Sequence, residues 1–438
     1  MPTRRDFVQF ATGASFAGAA APVWAESGAV PPARLRKRLY DKALGQAIQH
    51  VRGGPGEPFF KRPFVDAAFN GNIFLWDSCF IAAYAKYHLD QLPVGGSLDN
   101  FYRLQDEDGF ICREYDARGN AFWPKDHPVS VNPPLLAFAE LEIFSQTRDL
   151  ARLRDVFPRL VRNFDFLVRT YCETDDLMFG DAFGSGMDNI KRYPENWQDD
   201  GQGIALTNLY PDTFVYDGIS PKWNRQGRSV DFTAQTILFA RQLRQIGGLI
   251  GDGTADARLA AFIARAGRAL NERCWNEADG FYYDLGYGQQ IPRMHIGMFW
   301  TLWAGIVPRE RQLRLIQHLI DPRKFWRTVP IASTPADSPD FDPTGGYWRG
   351  SVWAPTNYMI LRGLNACGHH ALARRLALRY YDCVAQVYER TGTFWENYAP
   401  DAVAPGGQAK PDFCGWTALA PIALYHEYLS EHPGRAPT

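Results

Sequence analysis

Apolar residues recur along this chain at helical rather than alternating spacing. In "SVDFTAQTILFARQLRQIGGL", Phe232, Ile237, Leu238, Ala240 and Leu243 fall on one face, and Gly247-Gly248 are expected to end the run. The same periodicity predicts helices from about Arg34 to Val51 and near 77–90, 132–147, 150–171, 229–248, 255–275, 296–306, 309–320, 352–366, 370–390 and 415–430. Strand signals are few and short, "GFYYDLG" being the best of them.

Between the helices lie loops rich in Gly, Pro, Trp and Asp, and no low-complexity linker or shift in composition divides residues 26–438. Such a chain is expected to form one all-α domain of successive helical hairpins. A ring of six, an (α/α)6 barrel or toroid, needs roughly 400 residues at about 35 per hairpin, which the length supplies. A helical solenoid is the rival architecture, but no sequence signature repeats at fixed period.

The N-terminus changes the picture in one respect. Arg4 and Arg5 precede the weakly hydrophobic run "ATGASFAGAAAPVWA", and Val23-Trp24-Ala25 resembles a signal-peptidase site. Residues 1–25 are therefore read as a bacterial twin-arginine signal cleaved near Ala25, with a periplasmic or secreted destination; an ordinary disordered basic N-terminus is the alternative. The apolar run is shorter than the ~20 residues of a membrane span, so no membrane insertion is expected after cleavage.

Charged residues make up 22% of the chain and hydrophobic ones 46%, ordinary values for a globular protein, and the net charge of -1 argues against a nucleic-acid partner held by a basic surface. The 7 cysteines are odd in number and contain no CxxC pair, and the 9 histidines form no HExxH pattern. Most of the cysteines read as small buried apolar residues. The 13 Trp, 20 Tyr and 29 Phe are more informative where they stand beside acids, Gly and Asn, because sugar rings are held by aromatic faces together with polar groups.

Four stretches have that composition: "FNGNIFLWDSCF" (69–80), "FGSGMDNIKRYPENW" (183–197), "GGYWRGSVWAPTNY" (345–358) and "GTFWENYAPD" (392–401). Loops at one end of a helical barrel converge although they lie far apart in sequence. Cleaving a glycosidic bond requires one protonated carboxyl to donate to the leaving oxygen and a second carboxylate to activate water or attack the anomeric carbon. Asp188 and Glu396 are the candidates. Gly184 and Gly186 before Asp188 let backbone approach a ligand, and Glu396 lies between Trp395 and Asn397-Tyr398, surroundings able to raise a carboxyl pKa. Taken alone, Asp188 reads equally as a turn residue or helix cap, and Glu396 as a surface carboxylate or an arginine partner. In "RLQDEDGFICREYD", Gln105, Asp108, Gly109 and Glu114 are candidates for a further loop of the site; its acids suggest calcium but lack the full loop pattern.

Together "FLWDSCF", "GSGMDN", "GYWRGSVWAPTNYMILRGL", "FWENYAPD" and "FCGWTALAPI", in this order from Trp76 to about Pro421, resemble glycoside hydrolase family 63, a family related to the trehalases that includes α-glucosidases and mannosylglycerate and glucosylglycerate hydrolases. The resemblance implies an (α/α)6 barrel and inversion at the anomeric carbon, with Asp188 as general acid and Glu396 as general base. An inverting pair stands roughly 6.5–9.5 Å apart, leaving room for a water. The resemblance further implies that Asp77 hydrogen-bonds sugar hydroxyls, with Trp76 or Phe74 packing the ring. By the same resemblance Trp348 and Trp353 are pocket walls, Arg349 orients a polar group and Gly350 lets backbone come close. Trp197, Tyr193, Tyr398 and Trp416 are further substrate-binding candidates.

The chain departs from the family pattern at Gly184 and Ile190, and at Ser351 and Ala354 where the family carries Pro; these positions bear on the sugar pocket rather than on the two acids. The reading is an exported inverting α-glycosidase, chiefly an α-glucosidase, acting on a small glucoside or oligosaccharide, with a small carbohydrate as its partner and no need of a metal or other cofactor. A uronic-acid-sugar hydrolase or lyase of another (α/α)6 family, and a non-catalytic sugar-binding protein of the same fold, are the alternatives.

Overall fold

The computed structural model describes residues 30–192 and 227–437, apart from residues 69, 124, 126, 127, 181, 414, 432, 433 and 435. Trp197 and Tyr193, the expected signal and Cys414 lie outside the described residues.

In chain order the helices are α1 (Ala33–Gln49), α2 (Leu75–Ala85), α3 (Val94–Arg103), α4 (Leu136–Thr147), α5 (Leu150–Tyr171), α6 (Val230–Ile250), α7 (Asp256–Ala269), α8 (Trp300–Trp303), α9 (Arg309–Ile320), α10 (Ala354–Ala366) and α11 (His370–Thr391), followed by a C-terminal helix of π geometry (Ala420–Leu429) entered through a 3-10 turn (Trp416–Leu419). The even-numbered helices close a ring: α2 packs on α4, α4 on α6, α6 on α8, α8 on α10, α10 on the Trp416–Leu419 turn, and that turn back on α2. The odd-numbered helices lie outside. α5 and α7 pack on α6, α3 on α2, and α11 on α10, while α1 packs on the C-terminal helix. The (α/α)6 ring expected from the helix pattern is what forms.

Burial explains the two layers. Every residue of α2, "LWDSCFIAAYA", is buried, as an inner helix with neighbours on all sides requires. In α5 the buried positions Leu153, Val156, Phe157, Leu160, Val161, Phe164 and Leu167 follow one stripe, so this helix shows its other face to solvent. Asp149 caps α5 by accepting from the Arg152 N–H at 3.0 Å.

The structure differs from the sequence expectation at several elements. Gly247-Gly248 do not end α6; the helix runs to Ile250, and Gly251 (φ +76°) terminates it. Gly247 is there for contact, since a Cβ on it would sit 2.6 Å from the Asp252 carbonyl. The segment "VGGSLDNFYR", outside the expected helices, forms α3, with Val94, Leu98 and Phe101 buried at helical spacing. A Cβ at Gly96 would meet the Pro63 carbonyl at 2.3 Å, so tertiary packing outweighs the low helix propensity of its glycines. The expected 255–275 helix changes to a π turn at Leu270–Cys274, and 296–306 divides into a 3-10 turn (Ile296–Phe299) and α8.

One pair of short strands serves the site. Ile73–Phe74 pairs antiparallel with Glu114–Tyr115, placing Phe74 opposite Glu114 just ahead of α2. "GFYYDLG" contributes Phe281–Tyr282 and Leu285–Gly286 to two different small sheets. The six described cysteines other than Cys414 are unbridged.

Candidate active site

A cavity of about 600 Å³ opens at one end of the ring. It lies at the N-terminal ends of the inner helices, where α2, α10 and the Trp416–Leu419 turn begin, and the loops entering those helices build its walls.

Asp188 reaches the cavity from a run of tight turns. The Gly186 N–H donates to the Phe183 carbonyl at 3.0 Å, Ser185 Oγ donates to the Ala182 carbonyl at 2.6 Å, and the Ile190 N–H donates to the Met187 carbonyl at 3.0 Å. Gly186 holds φ at +78°, and a Cβ there would stand 3.1 Å from the Trp76 ring, so the turn lies directly on the indole face. Beyond the acid, Asn189 bonds the backbone of the Tyr347–Arg349 turn. Arg192 is ion-paired in the core with Asp231 and, at 2.8 Å, with Asp284, which also meets His295 at 3.2 Å and accepts from the Val230 N–H at 2.7 Å. Burial pushes the Asp284 carboxyl pKa up, but the Arg192 guanidinium and the hydrogen bonds from His295 and the Val230 N–H outweigh it and hold the carboxyl below its ordinary value.

Glu396 comes from the far end of the chain. Its N–H donates to the Lys410 carbonyl at 3.0 Å, and its carbonyl accepts from the Trp416 indole at 3.1 Å, which ties it to a second extended segment and to the start of the C-terminal helix. The residue is 5% exposed, and its Oε2 has no hydrogen-bond partner among the described residues. Burial raises its pKa to about 7; Lys410 opposes the rise and Asp188 adds to it.

Asp77, in the first turn of α2, is the third acid. Burial lifts its pKa to about 8, Arg113 pulls it down, and Asp188 and Glu396 push it up. The three carboxyls therefore feel one another across one cavity. The α2 N-terminus favours an anion there, but desolvation is the larger effect.

Indole rings form the inner wall. Trp76, Trp348 and Trp416 all line the cavity, with ring centroids 6.2 Å (Trp76 to Trp348) and 6.1 Å (Trp76 to Trp416) apart. Phe74 lines it as well. Thus Asp188, Glu396, Phe74, Trp76, Asp77, Trp348 and Trp416 are brought together.

Four other expected contacts are not on the wall. Trp353 is fully buried behind Trp348, stacked on it at 4.1 Å and 4°. Arg349 turns its Nε to the Asp340 carbonyl at 3.2 Å. Gly350 makes a close approach to the protein itself, because a Cβ would meet the Asp342 carbonyl at 2.5 Å. Tyr398 is 2% exposed, its backbone bridged to Val352 and Pro405. Of the "RLQDEDGFICREYD" candidates, only Glu114 reaches the cavity. Gln105 bonds the Gly109 and Arg159 carbonyls, Gly109 packs against Arg162 of α5, and Asp108 pairs with Lys125 at 2.9 Å.

Sequence reasoning missed the cations. Arg113 lines the cavity with its Nη2 3.7 Å from Asp188 Oδ1 and its guanidinium 4.8 Å over the Phe183 ring; a second bond goes to the Phe183 carbonyl. Lys410 stands exposed at the mouth. Trp123, Phe183, Tyr347 and Phe413 also contribute aromatic lining. The "CREYD" string was a weak signal for Arg113, since Arg beside Glu in a loop usually reads as a solvated pair. Such a set of acids, indole rings set at angles to one another and, among the described residues, a buried guanidinium suits a neutral polyhydroxylated ring, which offers apolar faces and polar edges.

Comparison with known proteins gives the same picture. The model of the mannosylglycerate hydrolase MGH1-like glycoside hydrolase domain matches residues 71–417. The mannosylglycerate hydrolase of Thermus thermophilus is 34% identical over 403 residues, covering 80% of this chain and 93% of that protein. A probable mannosyl-oligosaccharide glucosidase of Schizosaccharomyces pombe is 24% identical over 74% of this chain. The chain spans only 40% of the length of that glucosidase and 64% of a Borreliella burgdorferi relative. Among solved structures, a GH63 mannosylglycerate hydrolase of Thermus thermophilus in complex with glucose superposes with a TM-score of 0.69 at 22% identity, over 88% of this chain and 99% of that one, a likeness of fold.

Proposed function

The chain belongs to the mannosylglycerate hydrolase MGH1-like glycoside hydrolase family, and from that premise we propose that it is an exported, inverting α-glycosidase, acting chiefly as an α-glucosidase on small glucosides or oligosaccharides. The observation that carries this reading is the convergence of Asp188 and Glu396, 208 positions apart by their numbering (396 − 188), on one aromatic cavity where the Asp188 carboxyl helps to raise the pKa of Glu396. Asp188 gives its proton to the glycosidic oxygen as the bond to the anomeric carbon breaks. Glu396 takes a proton from the water that adds to that carbon on the opposite face. Water is consumed, the leaving group departs as an alcohol, and configuration inverts. Asp77 holds sugar hydroxyls, and Trp76, Trp348 and Trp416 pack the ring faces.

Export rests on Arg4, Arg5 and the apolar run that follows. Relatives named periplasmic trehalase, such as one from Pseudomonas aeruginosa at 26% identity over 81% of this chain, are in keeping with such an address.

One observation favours exchanged roles for the two acids. Arg113 is a counter-charge 3.7 Å from Asp188, while burial holds Glu396 up to about 7, the trend expected of a proton donor. The deciding experiment uses α-glucosyl fluoride, whose leaving group needs no proton. The variant lacking the acid keeps turnover on the fluoride and loses it on disaccharides; the variant lacking the base loses both. Proton NMR of fresh product must show the β-anomer, and an unsaturated sugar would establish a lyase instead.

A further inference from the structure

Beyond the two acids, the walls of the cavity change character with depth. Trp76, Asp77, Trp348, Glu396 and Trp416 at its base are all below 9% exposed, whereas Phe122 on the same cavity is 51% exposed. A terminal sugar seated on the buried indoles points its glycosidic oxygen outward, so the residues at the mouth meet the leaving group.

Isolated exposed phenylalanines are common and mean little by themselves. Phe122 is different in two respects. It continues an aromatic wall, lying 5.1 Å from Trp123, which lies 5.1 Å from Phe183, and all three face the cavity. It is also held in place by a rigid turn. The Asp116 carboxylate accepts from the Arg118 N–H at 2.8 Å, the Asn120 N–H at 2.9 Å and the Asn120 amide at 3.1 Å, while the Phe122 N–H donates to the Glu114 carbonyl at 3.0 Å. Next to it, the Trp123 indole is fixed by Glu114 Oε2 at 3.1 Å. A large apolar ring kept in water on a stiff support loses little freedom when it is covered.

We propose that Phe122 is the stacking platform for the leaving group, and that this enzyme's substrates carry a ring there: a second pyranose or an aryl group. The inference rests on the α-glucosidase reading and adds to it the class of aglycone. Lys410 at the same mouth is the competing determinant, because its ammonium suits a small anionic leaving group; but an exposed charge contributes little once screened.

The test compares wild type, Phe122→Ala and Phe122→Trp on α-glucosyl fluoride, p-nitrophenyl α-glucoside, maltose and mannosylglycerate. Loss of the ring should raise KM for maltose and the aryl glucoside about three- to tenfold. It should leave the fluoride, which has no ring to stack, unchanged, and Phe122→Trp should restore the ring-bearing substrates. Equal losses on fluoride and maltose, or none on maltose, overturn the proposal. So does a wild-type preference for mannosylglycerate, whose leaving group has no ring, that Phe122→Ala does not disturb. Failure of the α-glucosidase reading shows elsewhere, as wild-type protein that turns over no glucoside.

Discussion

Asn189 is joined to Trp348 beside the cavity: the Trp348 N–H donates to Asn189 Oδ1 at 2.7 Å, and Asn189 Nδ2 donates to the neighbouring Gly346 carbonyl at 3.0 Å. One amide thus sets the spacing between the loop that carries Asp188 and the turn that carries an indole wall. Asn189→Ala removes both bonds and leaves two backbone groups to find other partners, a loss of about 1–3 kcal/mol. The expected outcome is a fall in kcat of roughly tenfold or more with a smaller change in KM, because the acid moves relative to the bound ring. Asn189→Asp keeps the acceptor for Trp348 but sets an oxygen against the Gly346 carbonyl, and should recover only part of the rate.

Asp188→Asn and Glu396→Gln should each reduce kcat on a disaccharide by roughly 10²–10⁴-fold with the fold intact by circular dichroism. Near-normal turnover in either variant removes that residue from the proposed chemistry.

The Glu396 pKa of about 7 makes a prediction for pH. If Glu396 is the base, it must be ionised, so kcat/KM should rise through about pH 7 in the free enzyme. A profile that instead falls through the same range, with the fall abolished in Glu396→Gln, assigns it the acid role.

The same burial links stability to pH. Asp77 and Glu396 both have folded pKa values above their ordinary ones, about 8 against 3.8 and about 7 against 4.5. A raised carboxyl pKa means that the folded state holds the proton more tightly. Its stabilising contribution is complete below the unfolded pKa and is lost as pH rises through the folded one, here between about pH 4 and 8. Asp77→Asn should therefore melt higher than wild type at about pH 8 by roughly 2 °C or more, with the difference shrinking at about pH 5. Equal melting shifts at both pH values would show that Asp77 stays ionised in the folded protein.

Gly186 is a tight constraint on the acid's loop. Gly186→Ala adds a Cβ at positive φ, 3.1 Å from Trp76 ring carbons. A destabilisation of about 1–2 kcal/mol is expected, with a change in tryptophan fluorescence as the ring is displaced. An unchanged spectrum and full activity would show that the turn can relax without moving Trp76.

Much of the architecture was legible in the pattern alone. The helices near 34–51, 150–171, 309–320 and 370–390 follow their expected bounds closely, because an amphipathic stripe is a local property. α3 lay outside the expected helices, because its two glycines lower helix propensity and their close packing under Pro63 is a tertiary contact. In the site, the acid-and-tryptophan strings marked Trp76, Asp77, Trp348 and Trp416, all of which reach the cavity. The strings did not separate Trp348 from Trp353, one on the wall and the other stacked behind it.

By itself the sequence determined the helical ring, the two candidate acids and the aromatic company they keep, because periodicity and short motifs need no knowledge of distant neighbours. Only the tertiary structure decided which indoles face the ligand, that Arg113 stands beside Asp188, and that burial moves the Glu396 pKa to near neutrality. Those properties depend on which segments, far apart along the chain, close over the same space and exclude water from it.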